Sequence, residues 1–158
     1  MQLEASVVIH RPVDVVWAYL GSVENISAWD RGVANTTVTA ASSTGVGLEF
    51  DTLAHPRGND KAGDWGKMSY RVTESDPATG CTVKLTSTTG NARFFRDAEW
   101  RFRVEPAPEG SRVFCTAAFT LRLRYFFLAP ILLSMKRAIR RDLLLLRDRL
   151  ESTPVGES

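Results

Sequence analysis

Residues 8–17 read Val-Ile-His-Arg-Pro-Val-Asp-Val-Val-Trp and join the end of a predicted strand to the start of a predicted helix. On the strand side, apolar residues occupy every second position through residues 3–9, which is the period of an extended chain with one buried face. On the helix side, Pro12 suits the first turn, where its missing N–H leaves no hydrogen bond unmade. The sequence therefore predicts a strand over residues 2–10 and a short helix that ends at Gly21.

A second short helix is predicted to end near Trp29, and from residue 33 to residue 124 apolar and polar residues alternate. Turns that contain Gly or Pro divide this region into six predicted strands. Short turns between successive strands predict an antiparallel meander with one buried and one solvated face. A long polar loop at residues 55–66 interrupts the meander.

The last predicted element is a helix that has Pro130 in its first turn and continues to Leu150. Apolar residues recur every three or four positions along it, which marks one buried helix face. At 1.5 Å per residue the helix is about 33 Å long, enough to lie across a whole sheet. We expect a single domain over residues 1–151 and a disordered tail at residues 152–158.

The charge of the chain is nearly balanced overall and unevenly distributed along it. The 158 residues carry a formal net charge of +2. Residues 1–121 hold 12 basic and 14 acidic side chains, whereas residues 122–158 hold 8 and 4. So small an excess does not indicate binding to a phosphate backbone, and we expect no nucleic-acid partner.

Cysteine usage and the absence of targeting patterns predict a cytoplasmic protein. We expect either a monomer or a homodimer. Cys81 and Cys115 lie within alternating strands and are expected to be small buried side chains. A disulfide between them would require adjacent strands. The first residues do not show the basic start and apolar core of a signal peptide. The longest apolar stretch, residues 125–135, is about half of the ~20 residues that span a bilayer.

Four local patterns resemble those of the START/Bet v 1-like superfamily. Residues 8–17 look like its opening I-x-A-P-x-x-x-V-W run, with Arg11 where the family more often has Ala. Residues 25–33 contain a W-x-x-x-V pattern, residues 45–47 look like a G-x-G turn, and residues 70–74 look like a mid-sheet strand. The resemblance extends over residues 3–151 and is closest to the bacterial polyketide cyclase/dehydrase-like branch.

The resemblance implies an α+β helix-grip fold, in which a curved seven-stranded antiparallel sheet holds two short helices and a long C-terminal helix packed across it. An apolar cavity between sheet and helix is implied as well. Members of the superfamily bind sterols, lipids, polyketides, quinones and plant hormones, and a few catalyse cyclisation, dehydration or hydrolysis. Because one fold supports many functions, individual residues must decide among these.

Standard catalytic and cofactor motifs are missing from the sequence, which contains no HExxH, no metal-spaced Cys/His cluster, no GxSxG and no P-loop. We therefore expect no cofactor and no metal. Of the two histidines, His10 falls on the exposed parity of the first strand. His55 begins the long loop, where it is either a general base at the cavity mouth or a solvated loop residue.

Arg96 is the sharpest candidate for a functional side chain, because it lies between Phe94 and Ala98 on the predicted inner face of its strand. A buried charge needs a carboxylate, water or a ligand beside it. Arg96 could hold a ligand carboxylate or polarise an enolate oxygen. The alternative is a bulge that rotates Arg96 outward, since a slip of one residue exchanges the faces of a strand.

Tyr70 is a second candidate, on the inner parity between Met68 and Val72. Its hydroxyl could bond a ligand or act as a general acid, or it could belong to a core tyrosine with a local partner. Several large side chains are predicted to line the cavity, with ordinary core packing as the alternative for each. Trp65 would close the long loop as a lid. The other predicted wall residues are Trp29, Phe50, Trp100, Phe102, Phe119 and Met135.

Three functional hypotheses follow from these residues and the resemblance. The leading one is binding or carriage of a small hydrophobic molecule that is lipid-, polyketide- or quinone-like. The first alternative is a polyketide cyclase/dehydrase-like enzyme without metal or nucleotide cofactor, in which Arg96 and Tyr70 stabilise an enolate. The second alternative is a membrane or protein interaction module that uses the basic C-terminal helix. Membrane association is less favoured here, because the same apolar stripe is needed to cover the sheet.

Overall fold

The computed structural model describes residues 1–56 and 66–154, and its elements follow the predicted order. The strands are β1 (Gln2–Ile9), β2 (Val33–Ala40), β3 (Glu49–Ala54), β4 (Lys67–Asp76), β5 (Gly80–Leu85), β6 (Phe95–Ala107) and β7 (Gly110–Leu121). The helices are α1 (Val13–Gly21), α2 (Ile26–Trp29) and α3 (Ala129–Ser152). Short 3₁₀ turns lie at Val23–Asn25, Gly90–Phe94 and Leu123–Leu128.

The seven strands form one antiparallel sheet in the order β1-β7-β6-β5-β4-β3-β2. From β2 to β7 each strand pairs with the next one in the chain, and β1 pairs with β7. This is the meander that the alternating sequence predicts, with the first strand added at its far edge. Together with the long C-terminal helix, it confirms the predicted α+β helix-grip architecture.

Helix α3 crosses one face of the sheet, and its two halves have different surroundings. In the C-terminal half, Leu143, Leu146 and Leu150 are buried in the same apolar core as residues of β1 and β7. Full burial of one leucine contributes about 1.5–3 kcal/mol, so this half anchors the helix. The N-terminal half lies above β3 to β6 and leaves space beneath it, because Met135 and Phe50 face a common cavity.

The beginning of β6 contains a bulge that decides the orientation of Arg96. Phe95 pairs with Leu121 and Asp97 pairs with Thr120, so one residue of β6 has no counterpart on β7. Arg96 and Asp97 are consequently both exposed, while Phe95 packs against the core. Of the two orientations that the sequence leaves open, Arg96 therefore takes the outward one, because an extra residue exchanges the faces on one side of a bulge, and the inward orientation is not present.

Arg11, which departs from the family motif, binds the C-terminal end of α3. Its guanidinium donates hydrogen bonds to the carbonyl oxygens of Glu151, at 2.9 Å, and Thr153, at 3.1 Å. Carbonyl groups at a helix C-terminus lack intrahelical partners and carry partial negative charge. Next to Arg11, the backbone N–H and the Nδ1 of His10 lie 2.9 and 2.8 Å from the Glu151 carboxylate. The corner after β1 is thereby joined to the last turn of α3.

The two cysteines are free thiols on strands that do not neighbour each other. Cys81 on β5 pairs with Phe102 on β6, and Phe102 pairs with Cys115 on β7. Two strand spacings separate the cysteines by about 10 Å, beyond the ~7 Å limit for a disulfide. Burial raises the pKa of Cys81 to about 11 and that of Cys115 to about 12, so both thiols stay protonated.

The end of the chain differs slightly from the prediction. Ser152 is the last residue of α3 rather than the first of a tail, and residues 155–158 lie outside the described residues. Within the described ranges, no helix is both long enough and apolar enough to cross a membrane.

Candidate ligand-binding cavity

A cavity of about 520 Å³ lies between the inner face of the sheet and the N-terminal half of α3. Strands β3, β4, β5 and β6 form its floor, and α1, α2 and the turn after α2 form one side. Its volume falls in the usual range of small-molecule sites, roughly 300–1,000 Å³. The leucines that anchor α3, Leu143, Leu146 and Leu150, lie toward its C-terminus, whereas Met135, Ala138 and Ile139 line the cavity further forward.

Aromatic rings line the cavity in two groups of side chains that contact one another. Phe50 on β3 stacks on Tyr70 of β4 with ring centroids 5.4 Å apart, and the two residues are directly opposed in the sheet. Tyr70 in turn meets the edge of Trp100 at 5.4 Å. Trp29 meets Phe102 in a similar edge contact at 5.9 Å. Such contacts fix the rings and present flat apolar surface to whatever occupies the cavity.

Tyr70 has local partners and also lines the cavity, while a role of its hydroxyl toward a ligand stays a prediction. Its hydroxyl donates to the Sδ of Met68 at 3.5 Å and interacts with the hydroxyl of Thr52. Burial strongly raises the pKa of Tyr70. The side chain is therefore neutral at physiological pH and offers a hydrogen-bond donor, not a phenolate.

Two carboxyl groups line the cavity on either side of the turn that follows α2. Asp30 accepts a hydrogen bond of 2.7 Å from the backbone N–H of Gly32, and this bond closes the turn. Asp142 of α3 accepts a 3.3 Å hydrogen bond from the backbone N–H of Arg31. The turn thus holds both carboxyls, hereafter the carboxyl pair, against one side of the cavity.

The carboxyl pair has raised pKa values for two physical reasons. Burial and, to a smaller extent, the neighbouring Asp30 charge raise the pKa of Asp142 to about 6, while Arg31 and Arg141 act in the opposite direction. Burial also raises the pKa of Asp30, against the hydrogen bond from Gly32. Near neutral pH, Asp142 therefore exchanges a proton readily, as a general acid or base must.

Six of the predicted wall and site residues line the cavity together: Trp29, Phe50, Tyr70, Trp100, Phe102 and Met135. Whether they bind a ligand stays a prediction. Phe119 does not reach the cavity, because it is buried behind Trp100, with ring centroids 5.4 Å apart. Arg96 lies outside as well, on the bulge, so the proposed pairing of Arg96 with Tyr70 is not present. Trp65 lies outside the described residues.

The sequence analysis missed the carboxyl pair. A signal for Asp142 is present, because Met135, Ile139 and Asp142 follow at i, i+4 and i+7 and so share the side of α3 that faces the cavity. Asp30 carries no comparable signal, since its position depends on a turn. His55 does not line the cavity. Among the described residues, no group of three or more His, Cys, Asp and Glu side chains could hold a metal ion.

The chain belongs to the family described as polyketide cyclase / dehydrase and lipid transport, whose model matches residues 1–151. Solved structures with the same fold differ widely in sequence. The Zhui aromatase/cyclase from Streptomyces sp. R1128 has a TM-score of 0.78 at 16% identity, covering 100% of this chain and 99% of its own. The protein TTHA0849 from Thermus thermophilus has a TM-score of 0.73 at 18% identity, covering 97% and 100%.

A plant enzyme shares the fold as well. Norcoclaurine synthase from Thalictrum flavum has a TM-score of 0.72 at 9% identity, covering 97% of this chain and 87% of its own. At such identities the similarity establishes the fold alone. None of the curated proteins matches this chain in sequence.

Proposed function

We propose that the protein binds and carries a small, largely apolar molecule in the cavity beneath α3. The 520 Å³ cavity with its floor of aromatic rings is the observation that supports this function. A concave, mostly apolar site with a few convergent polar groups is the usual form of a small-molecule site. Family membership points the same way. The apolar floor suits a lipid-, polyketide- or quinone-like ligand, and Tyr70 and the carboxyl pair suit a ligand that carries hydroxyl or carbonyl groups.

The proposed compartment is the cytoplasm, where thiols stay reduced. Cys81 and Cys115 support this location, since both are free and their strands are separated by β6.

The first prediction is that filling the cavity abolishes ligand uptake. Val83 lines the floor from β5, and Val83→Trp would place an indole in the space that the ligand needs. We expect the wild-type protein to bind about one equivalent of 1-anilinonaphthalene-8-sulfonate, measured by calorimetry. The variant should lower the affinity at least about tenfold, which corresponds to 1.4 kcal/mol.

The matched control is Val38→Trp on β2, where the side chain is exposed and does not line the cavity. It should bind the probe as the wild type does. Circular dichroism melting verifies that each variant is folded, and Ala138→Phe on α3 gives a second way to fill the cavity. Failure of the wild type to bind saturably, or equal binding by both cavity-filling variants, would refute the carrier function.

A polyketide cyclase/dehydrase-like activity is the second candidate, and the carboxyl pair favours it. In a dehydration, an ionised carboxylate takes the proton next to a ketone while a protonated carboxyl gives its proton to the leaving hydroxyl, which departs as water. Asp30 and Asp142 line the same cavity, and the pKa of Asp142 near 6 allows either role. The carrier function needs no such pair.

The second prediction separates catalysis from carriage. If the protein is a dehydratase, it should convert 4-hydroxy-4-phenylbutan-2-one to its conjugated enone, followed by ultraviolet absorbance. Asp142→Asn should then reduce the rate at least about 100-fold, the usual contribution of a general acid or base. Asp148→Asn removes an equal charge from the exposed side of α3 and should leave the rate unchanged. No conversion above the buffer rate would eliminate this activity for β-hydroxyketones.

A further inference from the structure

Five large apolar side chains near the start of α3 are exposed to an unusual degree. Leu123 is 91% exposed, and Phe126, Phe127, Ile131 and Leu133 are 60–72% exposed. The other exposed large apolar side chains of the described residues are at most 45% exposed. Isolated exposed apolar residues are ordinary, but Phe126, Phe127 and Leu133 line one shallow depression, and exposed apolar side chains that adjoin one another mark an interaction site. These five residues are called the apolar surface below.

The apolar surface is not needed to close the fold. Residues 123–128 form a 3₁₀ turn without a buried side chain, and the first buried residue of α3 is Leu132. Phe126, Phe127 and Leu133 surround a shallow depression together with Met1 and Pro130. Two phenylalanines and a leucine are therefore exposed beside one another around this depression.

Basic residues adjoin the apolar surface, and this part of the chain contains no acidic residue. Residues 122–141 contain six basic side chains and no acidic one. Lys136, Arg137 and Arg140 follow Leu133 at i+3, i+4 and i+7, and all three are exposed. Side chains at this spacing share one helix face. The face of α3 that begins at the apolar surface thus continues as a row of three cations.

We propose that the apolar surface and the cations beside it dock the protein onto an anionic lipid bilayer. Phe126, Phe127 and Leu133 would enter the boundary between headgroups and acyl chains, while Lys136, Arg137 and Arg140 contact anionic headgroups. Apolar insertion combined with attraction to anionic lipid is the mode by which interfacial helices bind membranes. This inference goes beyond the proposed function, because it concerns the outer side of α3 and does not depend on what the cavity holds.

Charge complementarity favours a bilayer over a second copy of the chain. A twofold dimer brings the same patch of both subunits together. Here it would bring two rows of cations close to each other, which is repulsive. An anionic membrane instead supplies the opposite charge over a wide flat area, and it accommodates projecting phenylalanines without a shaped counterpart.

The experiment is co-sedimentation of the full chain with vesicles. We expect binding to vesicles of 30% phosphatidylglycerol in phosphatidylcholine, weaker binding to pure phosphatidylcholine, and a loss as NaCl is raised. Phe126→Ser with Phe127→Ser should reduce partitioning to the anionic vesicles at least about tenfold. Arg137→Gln with Arg140→Gln should do the same, since each basic residue near a charged bilayer contributes about a factor of five.

Control variants remove two exposed apolar side chains, or two positive charges, elsewhere on the molecule. Val15→Ser with Leu53→Ser changes two exposed apolar residues on α1 and β3, and Arg101→Gln with Arg112→Gln removes two charges from the outer face of the sheet. Both controls should partition as the wild type does. The proposal is overturned if the wild type does not bind anionic vesicles, or if the controls lose binding equally. It is also overturned if sedimentation without lipid shows a dimer that the Phe126/Phe127 variant converts to a monomer.

Discussion

At the scale of a single residue, Asp142 both lines the cavity and affects the stability of the fold. It faces the cavity from α3, and burial beside Asp30 raises its pKa to about 6. A carboxyl whose pKa is higher in the folded protein than in the unfolded chain costs stability once it is ionised. That cost is absent at low pH, where the group is protonated in both states. It develops as pH rises from the ordinary aspartate value through about 6.

The third prediction follows because the raised pKa of Asp142 lowers stability as pH rises. Asp142→Asn resembles the protonated carboxyl at every pH, so it should raise the melting temperature relative to wild type more at pH 8 than at pH 4.5. Because Asp142 is partly exposed to solvent, we expect a modest additional gain of about 2–4 °C, measured by circular dichroism. The control is Asp148→Asn, whose carboxylate is exposed and pairs with Arg147 at 3.0 Å. The prediction would be contradicted if Asp142→Asn changed the melting temperature by the same amount at both pH values, or if Asp148→Asn showed the same pH dependence.

Arg96 shows at the same scale why a site residue can be misplaced from sequence alone. The predicted strand around Arg96 is present, and its alternating pattern is compatible with either orientation of the side chain. What decides between them is a single extra residue opposite Thr120 and Leu121. A bulge of this kind depends on how two strands pair, and the alternation within one strand does not encode it.

At the scale of elements, α3 is held differently at its two ends. Its C-terminal end is bound by Arg11, and its N-terminal end carries the apolar surface. The motif position that departs from the family pattern is therefore an anchor for the helix that covers the cavity. A guanidinium suits this position, because its planar donors reach two carbonyl oxygens at once and its charge complements the helix terminus.

The fourth prediction tests this anchor. Arg11→Ala should reduce the free energy of unfolding by about 1–2 kcal/mol, since charge-assisted hydrogen bonds are lost at a helix terminus. Urea denaturation measures the change. Arg112→Ala removes the same charge from an exposed position on the neighbouring strand β7 and should change stability by less than about 0.5 kcal/mol. Similar losses for the two variants would show that Arg11 acts only through net charge.

At the scale of the whole molecule, the order and pairing of the elements were predictable from the sequence. The side chains that line the cavity were predictable only in part. Alternation with period two and the leucine stripe of α3 specify a meander covered by a helix. They also place Phe50, Tyr70 and Trp100 on the inner face. They do not specify the carboxyl pair, because Asp30 and Asp142 are far apart in sequence and meet only when α3 crosses the turn after α2.

The sequence analysis raised a membrane or protein interaction module on the basic C-terminal helix but favoured it less, because the apolar stripe of that helix is needed to cover the sheet. The residues from Leu128 to Leu150 supply more apolar side chains than one face of a helix can bury. From sequence, all of them can be assigned to the sheet. In the structure the anchoring leucines lie toward the C-terminus, so Phe126, Phe127 and Leu133 remain uncovered beyond the edge of the core.

The cavity has a consequence for how such a chain can diverge. Its lining is assembled from most elements, with a few side chains from each, while the leucines that anchor α3, Leu143, Leu146 and Leu150, lie elsewhere. A substitution at Val83 or Met135 can therefore alter which molecule fits without disturbing how the chain folds. Single substitutions at many positions along the sequence can therefore change the ligand preference, so one architecture can bind chemically unrelated ligands.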